Sequence, residues 1–226
     1  MPLPIVPWRD NNEGNLLINE IFYSIQGESS FAGLPCAFIR LTGCNLRCRY
    51  CDTPYAYHEG EEKSLDEIIS AVSAYQTNVV EITGGEPLLQ EDCPLLMERL
   101  IQKGYQVLIE TNGSQDIRRL PRESVCILDM KCPSSDMSEY MDFNNLHHLR
   151  SRDEVKFVIQ NREDYMWAKT VMSGYLSPFS RKVWLSPAHP AMDPRELADW
   201  LLADGIPAHL HLPLHRILWP EINRAK

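Results

Sequence analysis

Cys44, Cys48 and Cys51 stand at C-x3-C-x2-C spacing on a stretch that follows an apolar run and Gly43. Thiolates this close in sequence can reach one metal centre from a single loop. An iron–sulfur cubane is normally held by four cysteines. A loop that supplies three leaves one iron open, and an open iron can bind a small molecule directly. Clustered cysteines also build structural zinc sites, but those are four-coordinate and closed by a further Cys or His pair. Cys36, Cys93, Cys126 and Cys132 are scattered and read as small buried hydrophobes. Seven cysteines is an odd number, and no signal peptide marks an oxidising destination, so a disulfide framework fits poorly.

Further polar turns accompany this loop: Gly84-Gly85-Glu86-Pro87, Thr111-Asn112, Asp129 to Lys131, and Ser186-Pro187. Each follows a run that reads as a β-strand. The paired glycines permit close backbone approach to a ligand, and would equally make a plain strand-to-helix turn. In a parallel sheet built from alternating strands and helices, the C-terminal strand ends share one face, where ligands bind. Turns far apart in sequence are therefore expected to line one cavity with the cysteines.

The elements that must position these turns alternate along the chain. Residues 1–15 are an irregular lead-in, Pro-rich and then polar, and Leu16 to Ile25 is a strand or short hairpin. Strands are expected at Cys36–Leu41, Asn78–Thr83, Gln106–Thr111, Ser124–Met130, Glu154–Gln160, Lys182–Leu185 and Ala208–Leu212. Helices are expected at Ser64–Tyr75, Cys93–Lys103, Arg162–Met172 and Pro194–Ala203. In the first, Leu65, Ile68, Ile69 and Val72 fall at helical spacing, and Ser64 with Glu67 forms a capping box. Residues 134–152 are polar and weakly patterned. The alternation predicts an α/β fold: a single-domain, partly open βα barrel of about six parallel strands behind a short N-terminal hairpin, too few to close an eight-stranded barrel.

With 226 residues, 44% of them hydrophobic, the chain is enough for one domain over 1–226 with its core at 16–219. Its 31 acidic and 22 basic side chains leave a formal net charge of −9. That balance disfavours nucleic acid and anionic membrane as partners. No apolar run approaches the roughly 20 residues of a membrane-spanning helix. A cytoplasmic location is expected, where thiols stay reduced.

The cysteine loop with its following Asp52-Thr53, together with Gly84-Gly85-Glu86-Pro87, resembles the cluster loop and the GGEP motif of radical S-adenosylmethionine (SAM) enzymes. Within that superfamily the chain resembles the 7-carboxy-7-deazaguanine synthases. The likeness rests on Gln26-Gly27-Glu28, on Phe38-Ile39-Arg40-Leu41 running to Gly43-Cys44-Asn45, on Glu110-Thr111-Asn112-Gly113, and on Leu214 to Trp219. It covers most of residues 16–219. The resemblance implies a [4Fe–4S] cluster on Cys44, Cys48 and Cys51, with SAM on its open iron. It also implies a lyase of queuosine and 7-deazapurine biosynthesis, the pathway that feeds tRNA modification. Its substrate would be 6-carboxy-5,6,7,8-tetrahydropterin and its products 7-carboxy-7-deazaguanine and ammonia. One electron would cleave SAM, the resulting 5′-deoxyadenosyl radical would take hydrogen from C6, and SAM would be regenerated.

The resemblance further implies site residues. Ile25, Gln26, Gly27, Glu28, Arg40 and Thr83 would bind the pterin, with the planar cation of Arg40 suited to its carboxylate. Tyr50, Asp52, Gly84, Gly85, Glu86, Thr111, Asp129, Lys131 and Ser186 would contact SAM. The Asp129-Met130-Lys131 segment departs from the family's frequent Ser-Pro-Lys. Thr53 is expected to contact Mg²⁺, or to cap the turn after the loop. His215 is a candidate proton carrier, or a core or surface histidine. A flavodoxin-like electron donor and a homodimer are also expected. Two other readings remain: an activase for a glycyl-radical enzyme, and a non-enzymatic iron–sulfur or zinc module. The Gln26–Glu28 and Arg40 segments speak against the first, and the glycine-rich turns against the second.

Overall fold

The computed structural model describes residues 14–176, 182–221 and 224. The lead-in expected over residues 1–15 lies, for residues 1–13, outside them. Among the described residues, a nine-stranded sheet runs through the chain. Its strands and helices follow in order as β1 (Asn15–Ile25), β2 (Pro35–Leu41), β3 (Glu61–Ser64), α1 (Leu65–Ser73), β4 (Val79–Gly84), α2 (Cys93–Gln102), β5 (Gln106–Thr111), β6 (Val125–Met130), α3 (Asn145–His148), β7 (Glu154–Ile159), α4 (Arg162–Tyr175), β8 (Lys182–Pro187), α5 (Pro194–Asp204), β9 (His209–Leu210) and α6 (Leu214–Leu218).

Strand order is β3-β1-β2-β4-β5-β6-β7-β8-β9. From β2 to β9 every neighbouring pair is parallel, while β1 pairs antiparallel with both β2 and β3. The six parallel strands from β2 to β8 are each six or seven residues long, and β9 adds a seventh of two. This is the partial βα barrel with an N-terminal hairpin; the strand β3 and the short helices α3 and α6 are elements that the sequence reading missed. Every residue of β6 is buried, as is nearly all of β4. Strands covered on both faces read as continuous apolar runs. In β1, by contrast, Leu16 and Ile18 are buried and Leu17 points out, the alternation of a one-sided strand.

α1 forms where its cap predicts. The Ser64 hydroxyl accepts the Glu67 N–H, and the Glu67 carboxylate accepts the Ser64 N–H at 2.8 Å. Leu65, Ile68, Ile69 and Val72 are its buried face. Asn161 caps α4, which runs to Tyr175, beyond the expected end at Met172. Asp193 caps α5 and Gly205 ends it in the left-handed region at φ 57.

Strict alternation fails at two crossovers. The β5–β6 link carries one 3-10 turn, and the β6–β7 link carries 3-10 turns and the four-residue α3. The weakly patterned stretch 134–152 does the work of a covering helix through long-range polar bonds. Asn145 donates to the carbonyls of Gly113 and Gln115 at 3.1 and 2.8 Å and accepts from Ile117 N–H at 3.2 Å. Met141, Leu146 and Leu149 bury against the core beneath it.

Candidate active site

The C-terminal ends of the parallel strands open on one cavity of about 460 Å³. Cys44, Cys48, Cys51, Thr53, Gly84, Gly85, Thr111, Asp129, Lys131 and Ser186 all line it. So do Ile25, Gln26, Gly27, Glu28, Arg40, Tyr50, Asp52, Thr83 and His215. Of the residues singled out by sequence, Glu86 alone does not reach it.

The cysteine loop is pinned from three sides. Gly43 N–H donates to Ala56 at 2.8 Å, the Glu86 N–H donates to Gly43 at 2.7 Å, and the Arg49 N–H donates to Ser135 at 3.1 Å. Leu46 is buried as its apolar anchor. Arg47 donates to the carbonyls of Cys44 and Leu46 and lies 4.2 Å over the Tyr57 ring. The three thiols are half-buried and free. Burial pushes the Cys48 thiol up to about 11 and also raises Cys44, with the Lys131 ammonium opposing both. A metal removes this cost, because the thiolate is the ligand and binding releases the proton. Among the described residues, no three His, Cys, Asp or Glu side chains converge as ligands of a single ion. His211 and His215 have the H-x3-H spacing of a zinc pair, yet His211 is buried against Trp184. A cubane asks less convergence, since each thiolate binds its own iron. The donor set therefore fits a three-cysteine cluster. Cys36, Cys93, Cys126 and Cys132 are fully buried, as expected, and the Cys132 thiol faces the Met130 carbonyl rather than the cavity.

Two glycines seat the neighbouring turn. Gly84 has φ 146, and a Cβ there would overlap the Leu41 carbonyl oxygen. A Cβ on Gly85 would overlap the backbone of Gly43. Only a residue without a side chain lets the end of β4 lie flush on the cysteine loop. Glu86 is buried behind this turn instead of facing a ligand. Its carboxylate accepts from Leu88 N–H at 3.0 Å, Thr111 hydroxyl at 2.8 Å and Asn112 N–H at 2.7 Å. It ties β4 to β5 and so places Thr111, with Asn112 reaching toward the Cys44 sulfur at 3.9 Å.

The opposite wall is ionic. Asp129 pairs with Lys131 at 2.8 Å, and Lys156 pairs with Glu28 at 2.6 Å, with Glu110, and with Asp129 at 3.4 Å. Burial would raise the Glu28 carboxyl, but Lys156, helped by His211 and His215, takes it down to about 2. Burial, with Glu110 beside it, pushes Glu81 up to about 8. Asp129 Oδ1 and the Tyr50 hydroxyl are buried without a partner among the described residues. Such orphaned atoms on a cavity wall are places where a ligand's polar groups are met.

Several expected ligand contacts are already engaged. The Gln26 amide donates to Glu81 and accepts the Glu28 N–H at 3.0 Å, so it shapes the loop. A Cβ on Gly27 would overlap the His215 ring, and the Gly27 carbonyl accepts from Leu214 N–H at 2.9 Å, docking α6 at the cavity. Burial lowers the His215 imidazole, against the pull of Glu28. Asp52 pairs with Arg216 at 2.9 Å. Arg40 donates from Nε to Glu20 at 2.7 Å, with its guanidinium 5.8 Å from the Phe22 ring and 5.9 Å from that of Tyr55. It is both an ion-pair partner and a cavity residue. Sequence reading missed Lys156, Glu110 and Glu81. The signal was present: each is an ionisable residue inside a largely apolar strand, where charges are rare unless paired.

The sequence pattern of the radical SAM superfamily matches residues 38–127. The chain is 43% identical over 220 residues to the 7-carboxy-7-deazaguanine synthase of Koribacter versatilis, covering 90% of this chain and 97% of that one. It is 42% identical over 212 residues to that of Chlorobaculum tepidum, covering 92% and 96%. With the synthase of Thermoplasma acidophilum it shares 35% over 212 residues, covering 92% and 99%. The crystal structure of QueE from Escherichia coli has the same fold, with a TM-score of 0.74 at 22% identity over 87% of this chain and 94% of that one. A cluster loop, a glycine turn and buried carboxylates meeting in one cavity agree with this likeness along nearly the whole chain, and the chain belongs to the 7-carboxy-7-deazaguanine synthase family of radical SAM enzymes.

Proposed function

We propose that the chain converts 6-carboxy-5,6,7,8-tetrahydropterin to 7-carboxy-7-deazaguanine and ammonia. The observation that carries this reading is one cavity holding the cluster cysteines beside Arg40, Glu28 and Lys156. When bound, the reduced cluster and SAM supply the one-electron cleavage and hydrogen abstraction on which the ring contraction depends. The products together have the composition of the substrate, so there is no net oxidation. What the chain must do is bind, orient and keep water out.

Cys44, Cys48 and Cys51 hold the cluster. Gly84 and Gly85 bring backbone groups within reach of the methionyl end of SAM. Asp129 Oδ1, Tyr50, Thr111, Lys131 and Ser186 offer polar contacts along the rest of it, and Asp52 does so at the rim. Ile25 and Gly27 form the floor for the pterin. Glu28 accepts from its ring N–H groups, and Thr83 adds a hydroxyl. Arg40, its Nε fixed by Glu20, offers its remaining donors to the substrate carboxylate. Thr53 lies beside Cys51 with Oγ1 3.9 Å from the sulfur. Its hydroxyl suits Mg²⁺, a hard cation that keeps most of its waters. His215, neutral because burial lowers it, carries protons for the departing amine. A low-potential flavodoxin-type protein donates the electron, and the working unit is a homodimer in the cytoplasm. All seven cysteines are free, which supports a reducing compartment, and the net charge of −9 supports a small-molecule partner over nucleic acid or membrane. Among the described residues no helix is long and apolar enough to cross a membrane.

The test is anaerobic: reconstitute the cluster, add dithionite, SAM, Mg²⁺ and the pterin, and look by mass for 7-carboxy-7-deazaguanine. Its appearance is expected. Formation of 5′-deoxyadenosine without the deazaguanine would overturn the substrate and leave the radical chemistry.

A further inference from the structure

The loop after β1 reaches across to β7 and is held there by Glu154 and Lys156. Glu28 binds Lys156 at 2.6 Å, and two residues on, the Ser30 N–H donates to Glu154 at 3.0 Å. Glu154 is fully buried and also accepts from Trp184 Nε1 at 2.7 Å. Lys156 is itself only 6% exposed and lines the cavity. Its ammonium touches carboxylates from the loop (Glu28), from β5 (Glu110) and from β6 (Asp129). No other described cation contacts both the wall assigned to the pterin and the wall assigned to SAM.

We infer that Lys156 is a specificity-determining positioning residue: it holds the Glu28 carboxylate fixed and fully ionised, as a pure acceptor for a ligand edge with two adjacent N–H donors. The aminopyrimidinone edge of a pterin or deazaguanine has that pattern. A protonated carboxyl would present a donor to such an edge and lose one of its two bonds. A cavity that reads an N–H in this way rejects analogues lacking it far better than an apolar pocket could. The inference rests on the substrate class proposed above.

The groups facing Glu28 are Lys156, Glu81, Glu110, Asp129, His211 and His215. Burial lowers both histidines from the ordinary imidazole range. Remove Lys156, and burial together with three neighbouring carboxyls raises Glu28 toward the assay range. Glu81 titrates in that range and is itself lowered by Lys156, so the quantity to read is the ratio of variant to wild type at each pH, measured again in a Glu81→Gln background that removes the Glu81 titration.

Reconstituted Lys156→Met is therefore expected to raise KM for the pterin about 30-fold or more at pH 7. The ratio to wild type should shrink as pH rises to 9. Lys156→Arg should restore a pH-independent ratio. Calorimetry with 7-carboxy-7-deazaguanine, which carries the same edge and needs no reduced cluster, reads the same effect without turnover. An unchanged KM, or one raised by the same factor at every pH, would overturn the inference. Should Lys156→Met not fold, Glu28→Gln keeps the shape and the lysine, and wild-type affinity in that variant overturns it as well. Deazaguanine binding that shows this pH-dependent ratio between variant and wild type, with no deazaguanine made from the pterin by wild type, sinks the proposed reaction and leaves Lys156 its role.

Discussion

Lys131 and Cys132 are adjacent in sequence and face opposite ways: the ammonium lines the cavity, and the thiol is wholly inside the core. Proximity of Cys132 to a cofactor segment is thus no sign of a fourth ligand. Cys48→Ala is expected to lose bound iron and sulfide and all turnover. Cys132→Ala is expected to keep a four-iron cluster and lose only the stability of a small buried group; an iron assay with the visible spectrum decides. Met130 is likewise buried, so it meets no ligand directly. For Arg40, two roles that compete on paper coexist. Its Nε serves Glu20, and the guanidinium still lines the cavity. Arg40→Ala should raise KM for the pterin about tenfold or more, because hydrogen bonds to charged groups contribute about 1.5–3 kcal/mol. It should leave SAM cleavage without pterin intact. Loss of the cluster in that variant would refute the role.

At the scale of elements, the caps were the most legible feature. Ser64 and Glu67 form the box that their spacing announces, and the buried stripe of α1 is the one the helical period selects. Ser64→Ala removes one cap and is expected to cost about 1 kcal/mol. Thermal melting should then shift down by a few degrees, with KM for the pterin unchanged. A KM effect would mean that α1 reaches the site. The strand ends were legible for a similar reason, since apolar runs end in glycine or polar turns. The 134–152 stretch was not. Its order comes from Asn145 reaching back to Gly113 and Gln115 and from the Arg150 guanidinium donating to the Pro121 carbonyl, contacts about 30 residues distant in sequence that no local period encodes. β3 escaped notice because Glu61-Glu-Lys-Ser64 is polar. It is an edge strand, held by backbone pairing to β1, and charge is what keeps such an edge from pairing further.

At the scale of the molecule, the site is a concentration of buried charge that the rest of the fold must tolerate. Glu28, Glu81, Glu110 and Asp129 share the space around Lys131 and Lys156, so the carboxyls outnumber the lysines. The pair Glu28 and Glu81 pull stability in opposite directions. Glu28, depressed to about 2, contributes stability that is present above the ordinary glutamate range and is lost as pH falls toward 2. Glu81, raised to about 8, contributes stability that is full below that ordinary range. As pH rises toward 8 the unfolded chain has lost the Glu81 proton while the fold retains it, and that contribution disappears. Glu81→Gln keeps an acceptor for the Gln26 amide and removes the titration. Wild type should therefore lose several degrees of melting temperature relative to this variant between pH 5 and pH 8, and the two curves should run parallel above about pH 8. Curves parallel across the whole range would show that Glu81 is ionised in the folded chain. The ionic wall would then carry one negative charge more, and the two lysines would have to balance every carboxylate around them.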